Sequence, residues 1–265
     1  MLGFFVFVSA LFGAVFGSFS NAVAYRLPRN ETLMTRSHCT TCFHEIAWYE
    51  NIPVLSWLLL RGKCRHCSQS ISARYILVEL GSALVFGLLT IRASVMGEGF
   101  LFNVGILLVF AFVGIVVSLV DLDVRKIPSE WVYGGFAAVL LIAMGHHILF
   151  PDSSRALTGL VWMAIFAVIH FVLWFIKPGA MGFGDVRLSL LTGFVAGWVS
   201  SETAIMAFFF PSILALAFMI PALMKKKASG KTAIPFGPWM VLGAIVSILV
   251  TDIVFGNFLM MGSVA

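Results

Sequence analysis

Eight long apolar runs dominate this 265-residue chain and leave it few ways to fold. They cover residues 2–25, 75–91, 101–120, 131–149, 156–176, 186–199, 203–223 and 234–255. Most approach the roughly 20 residues that a helix needs to cross a bilayer. Period-two alternation is absent and the runs are too long for outer-membrane strands, which argues against a β-barrel. Composition points the same way. Only 11% of residues are charged and 60% are apolar, whereas a soluble domain carries about 25% charged residues to cover its core. The expected fold is an all-α polytopic membrane protein with about eight transmembrane helices. The first run has no base ahead of it and exceeds a signal-peptide core, so it reads as a retained span.

Fifteen of the 17 bases fall on alternate loops, leaving Arg92 and Arg155 on the other side. By the positive-inside rule those loops are cytosolic and both termini lie outside the cytosol. The run Lys225-Lys226-Lys227 then sets topology and does not mark nucleic-acid binding.

Residues 26–74 form the one stretch that reads as a non-membrane domain, between the first span (1–25) and seven further spans (75–265). It holds all four cysteines, as Cys39-Thr40-Thr41-Cys42 and Cys64-Arg65-His66-Cys67. A two-residue gap lets both thiolates of a tight knuckle reach one ion, and four such sulfurs complete a tetrahedral Zn²⁺ shell. A domain this small needs such a staple. The competing reading is two disulfides, which a reducing cytosol disfavours. The four cysteines fill the shell, so His38, His44 and His66 read as surface residues and the metal as structural.

Ionisable groups at span ends are costly and usually functional. The third span runs into Asp121-Leu122-Asp123, followed by Ile127-Pro128, and the sixth is preceded by Gly182-Phe183-Gly184-Asp185. Two carboxylates from different helices at one depth meet the needs of an aspartic protease, in which one activates water and the other protonates the oxyanion. Such a pair holds a single shared proton because two adjacent negative charges repel. Gly182 and Gly184 permit backbone angles and a close approach that would let a substrate strand lie beside Asp185. The alternative role for any boundary aspartate is a helix end or cap. Positions i and i+2 diverge on a helix, so Asp121 and Asp123 cannot both serve one site, and the residues alone do not choose between them. Glu79 is either a third site carboxylate or a helix-packing contact. His170 and Asp252 read as packing or interfacial residues.

Taken in order, these motifs resemble the bacterial type IV prepilin peptidases, the leader peptidase/N-methyltransferases. The similarity begins at Gly17-Ser18-Phe19-Ser20-Asn21 and Tyr25-Arg26-Leu27-Pro28, and continues through both knuckles, Arg74-Tyr75 and Val78-Glu79-Leu80. It ends with Asp121 and Ile127-Pro128, the GxGD motif at 182–185, and Ile234-Pro235-Phe236-Gly237-Pro238. The resemblance selects Asp121 over Asp123. It implies a GxGD-type aspartic endopeptidase of the bacterial inner membrane with Asp121 and Asp185 as its dyad. Its substrates would be type IV prepilins or type II secretion pseudopilins, cut after the glycine of a short basic leader. It also implies N-methylation of the new terminus with S-adenosylmethionine, and no glycine-rich nucleotide fingerprint locates a donor site. A leader peptidase without the methyltransferase, and more remotely a membrane transporter, are the rival readings. Ser20 and Ser68 depart from the family, which commonly has leucine and glycine there.

Overall fold

The computed structural model describes residues 1–177, 181–224 and 235–262. Lys225, Lys226, Lys227, Lys231, Gly179, Ala180 and Ile234 lie outside the described residues. All regular structure in the described residues is helical: α1 (Leu2–Arg26), α2 (Leu55–Leu59), α3 (Arg74–Ser94), α4 (Phe100–Val124), α5 (Ser129–Leu149), α6 (Arg155–Ile176), α7 (Phe183–Val199), α8 (Ser201–Met224) and α9 (Gly237–Gly262). Seven of these are long and apolar enough to cross a membrane. The exceptions are the five-residue α2 and the 17-residue α7. At 1.5 Å per residue α7 is about 25 Å long, short of a hydrocarbon core of about 30 Å. It does not run on through Ser200 and Ser201, because Ser200 is extended and its hydroxyl caps α8 by accepting the Thr203 N–H at 3.1 Å. At its other end α7 starts at Phe183, so Asp185 sits in the first turn. The last helix starts at Gly237, with Pro238 as its second residue, where a missing N–H costs nothing.

The chain divides into two compact units, 1–91 and 92–265. In the first, α1 packs on α3 through Gly13 and Gly17. A Cβ on Gly13 would lie 2.6 Å from the Ser82 carbonyl, and one on Gly17 3.0 Å from the Glu79 Cα. This is the small-xxx-small approach by which membrane helices bring backbones together. Arg26, buried at the end of α1, donates to the carbonyls of Leu33, Thr35 and Arg36 at 3.2, 2.8 and 3.0 Å. The last residue of the first span therefore organises the loop that leads to the cysteines.

In the second unit α7 is the central helix, packed by α4, α5, α6, α8 and α9. Its run from Leu191 to Val199 is wholly buried. Gly193 and Gly197 let α6 approach its backbone, since a Cβ on either would sit 2.8 Å from the carbonyl of Trp162 or Thr158. Arg92 and Arg155, the two bases outside the basic loops, both bond backbone carbonyls of other helices. Arg92 donates to the Ile248 carbonyl at 2.8 Å and pairs with Asp252 at 2.9 Å. Arg155 donates to Trp198 at 3.1 Å, at the end of α7, and to the Met96 carbonyl.

Candidate functional site

Asp121 lies in the last turn of α4, only 5% exposed, while Asp123 two residues on is exposed. Helix α4 continues through Val124, so the two side chains diverge as a helical i, i+2 pair must. The chain then reverses at Arg125, a left-handed C-cap whose N–H donates to the Asp121 carbonyl at 2.9 Å. That reversal brings Ile127 back against two glycines. A Cβ on Gly184 would lie 2.8 Å from the Ile127 Cβ, and one on Gly237 3.3 Å from its Cδ1. Ile127 is thus the wedge that joins the ends of α4, α7 and α9.

Each carboxylate is held by the amide of a glycine at a helix start. Gly237 N–H, at the head of α9, donates to Asp121 Oδ2 at 3.0 Å. Gly182 N–H, at the N-cap of α7, donates to Asp185 Oδ2 at 3.0 Å. Helix N-termini present unpaired amides and partial positive charge, so both positions favour an anionic oxygen. Asp185, 7% exposed, lies within electrostatic reach of Asp121. No hydrogen bond to Oδ1 of either aspartate is seen among the described residues, leaving one oxygen of each for water or substrate. The close approach that Gly184 permits is made by Ile127, and Gly182 has ordinary extended angles (φ −74°).

Gly237 and Ile127 complete the site beyond the acids and the GxGD glycines that the sequence singles out. Their signal lies in Pro235-Phe236-Gly237-Pro238 and Ile127-Pro128, which in the sequence serve as family markers. Of the remaining residues, His170 donates from Nδ1 to the Phe166 carbonyl at 2.8 Å, and Asp252 pairs with Arg92. Glu79 belongs to the first unit, where its carboxylate accepts the Val54 N–H at 2.7 Å. Val54 has φ +65°, a conformation that costs a β-branched residue about 1–3 kcal/mol and persists only where its surroundings enforce it.

The four sulfurs of Cys39, Cys42, Cys64 and Cys67 lie within 4.8 Å of one another, and Cys39 and Cys67 are 3.8 Å apart. A tetrahedral Zn²⁺ with bonds of about 2.3 Å has sulfur–sulfur edges of about 3.8 Å, far longer than a disulfide. The donor set therefore fits a metal ion. Both knuckles share one hydrogen-bond pattern. Cys39 N–H donates to the His44 carbonyl and Cys64 N–H to the Gln69 carbonyl, at 2.9 and 2.8 Å. Four residues after each first cysteine, Phe43 and Ser68 take φ +57° and +58°. Position 68 thus takes the left-handed angles that glycine adopts without cost. Hydrogen bonds from the Cys42 and Thr41 amides lower the Cys39 thiol to about 6, poising it as a thiolate ligand. His44 and His66 are exposed, and their rings meet at a tilt of 35° across the two knuckles.

Residues 11–93 match the bacterial peptidase A24 N-terminal domain, and residues 108–220 match the type IV leader peptidase family. The prepilin leader peptidase/N-methyltransferase of Stutzerimonas stutzeri is 30% identical over 282 residues, which cover 96% of this chain and 94% of that protein. That of Pseudomonas putida is 29% identical, covering 96% and 93%. The type 4 prepilin-like proteins leader peptide-processing enzyme of Escherichia coli O78:H11 is 30% identical, covering 89% and 90%. No solved structure is significantly similar to the chain. The likeness spans both units and extends to relatives 30% identical over nearly their whole length, so this chain belongs to the type IV leader peptidase family.

Proposed function

We propose that this chain is a membrane aspartic endopeptidase that removes the leader of type IV prepilins or type II secretion pseudopilins and N-methylates the residue it exposes. The observation that carries the peptidase reading is a pair of buried carboxylates on two helices. Each is tied through one oxygen to a glycine amide, and Asp185 is close enough to feel the charge of Asp121. One proton is shared between Asp121 and Asp185. The ionised partner takes a proton from water as the water oxygen attacks the scissile carbonyl carbon, and the protonated partner donates to the carbonyl oxygen. Collapse of the tetrahedral adduct breaks the C–N bond: the proton taken from water passes to the leaving amine, and one adduct hydroxyl returns its proton to the carboxylate that donated one, restoring the shared proton. Ile127 and the two glycine amides are positioning groups that keep both carboxylates in register.

The chain is oriented with its basic loops, residues 26–74 and the aspartate pair on the cytosolic side of the bacterial inner membrane, and with both termini outside. There a basic leader emerges from the bilayer and water reaches the dyad. Residues 26–74 form a zinc-bound domain, and residues 75–265 carry the peptidase. Cys39, Cys42, Cys64 and Cys67 would fill a tetrahedral shell, so a metal held there would stabilise structure and would not activate water. S-adenosylmethionine is the methyl donor by likeness to the named relatives, with no binding residues assigned.

Incubation of the purified protein with a prepilin and S-adenosylmethionine tests both activities in one mass spectrum. Leader loss with one added methyl group supports the full reading. Leader loss without it reduces the protein to a peptidase, and an intact prepilin overturns the proposal.

A further inference from the structure

The cysteine-bearing segment contains a short helix that is inside out. In α2 the polar Ser56 faces inward, 7% exposed, while Leu55, Leu58 and Leu59 face outward, with Leu59 82% exposed. The outward three lie at i, i+3 and i+4, one helical stripe. Trp48, in the neighbouring 3-10 turn, is 78% exposed and extends the same kind of surface. These side chains are not loose. Ser56 Oγ accepts the Ile52 N–H and donates to the Tyr49 carbonyl, both at 3.0 Å, joining the 3-10 turn to α2. The Trp57 indole turns inward beneath Gly62, where a Cβ would meet it at 2.8 Å. The fold therefore presents leucine and tryptophan while burying a serine, the reverse of a water-facing segment.

The position of this segment along the chain says what covers it. Val54, the N-cap of α2, is bonded to Glu79, five residues along α3 from Arg74. Five residues at 1.5 Å are about 7.5 Å along the membrane helix. An interfacial helix buries its apolar face about 5–10 Å into the boundary between headgroups and acyl chains. Immediately after α2 come Arg61 and Lys63, both exposed and without an ion-pair partner among the described residues.

From this the geometry points to a membrane-surface element: residues 48–63 lie on the leaflet from which residues 26–74 emerge. Trp48, Leu55, Leu58 and Leu59 enter the acyl boundary, and Arg61 and Lys63 engage anionic lipid phosphates. The Glu79 carboxylate is the tether that sets the depth. The cysteine knuckles are then held at the membrane surface by lipid contact as well as by their two flanking spans.

The full-length protein in nanodiscs of phosphatidylethanolamine and phosphatidylglycerol provides the test. A benzophenone side chain is installed in place of Leu59 and, in a control, in place of the exposed knuckle residue Thr41. Irradiation should give phospholipid adducts at position 59 in about tenfold excess over position 41. Equal labelling at the two positions, or crosslinks from position 59 to protein alone, would overturn the assignment. The yield at position 59 should rise with phosphatidylglycerol content, and Arg61→Ala with Lys63→Ala should remove that rise. A yield indifferent to anionic lipid overturns the contribution of the two bases. None of these readouts depends on peptidase activity, so failure here is distinguishable from failure of the proposed function.

Discussion

At the cysteine cluster, four ligands converge from two knuckles of one short stretch, each built by the same local hydrogen bonds and the same left-handed residue. At the aspartate pair, two carboxylates arrive from α4 and α7 and are fixed by amides and side chains from three helix ends and one loop. The first site needs almost no tertiary structure beyond its own turns and would gain its rigidity from the metal ion its four sulfurs can hold. The second has no internal staple and exists only because the bundle around α7 packs to one solution. The contrast explains why the two should fail differently. Loss of the metal should loosen one region and leave the other standing, whereas small steric changes far apart in sequence should disable the aspartates.

The largest effect expected is loss of catalysis in Asp121→Asn and in Asp185→Asn. Each should lower leader cleavage by about 10³-fold or more while the protein still inserts and keeps its helix content. A prepilin cleavage assay alongside circular dichroism checks this, and full activity in either variant would remove the dyad.

Next comes Gly237→Ala, whose Cβ would sit 2.9 Å from Asp121 Oδ2 and so displace the carboxylate from its amide. A shift of that kind costs about 10- to 100-fold in kcat/KM. Gly182→Ala, with its Cβ at 3.3 Å from Asp185 Oδ2, should lose less. If the order of the two is reversed, Gly237 does not hold Asp121 as described.

Gly197→Leu tests the bundle instead of the site. It would separate α6 from α7 and should destabilise the protein by about 1–3 kcal/mol, read as a lower midpoint of thermal unfolding in detergent.

Chelation, or Cys42→Ser, should raise amide exchange across residues 26–74 while α4 to α9 keep their protection, because the metal supplies that segment's folding energy. Uniform deprotection of the whole chain would show that the two regions are not separable in this way.

The smallest effect expected concerns pH. The Cys39 thiol is lowered to about 6, so its thiolate dominates above that value and is lost as pH falls through it. Acid protonates the sulfur ligands, so bound metal should be retained at neutral pH and released into a colorimetric chelator as pH falls. Release that increases with rising pH would contradict the sign.

Much of the chain is legible in its sequence. Apolar runs marked every long helix, because a membrane span must satisfy its backbone internally and cover itself with apolar side chains along its whole length. The knuckles were equally plain, since a two-residue gap between thiols is a local geometric requirement. The end of α7 was harder. Ser200 and Ser201 left open whether the helix continued, and the choice fell to the Ser200 hydroxyl capping α8. Glu79 was ambiguous for a related reason. A carboxylate one turn into a span must find a donor, and nothing in the sequence names the Val54 amide as that donor.

The amino-acid sequence alone dictated the all-helical membrane architecture, the four-sulfur cluster and the short list of acids at span ends. Each of these depends on residue type and near-neighbour spacing, which the chain carries in one dimension. Tertiary structure decided which acids face one another, that Ile127 and Gly237 hold them there, and that α2 turns its leucines outward. Those outcomes depend on which helix ends meet and on what a Cβ would strike, and such contacts exist only once α4, α7 and α9 have packed and Glu79 has captured Val54.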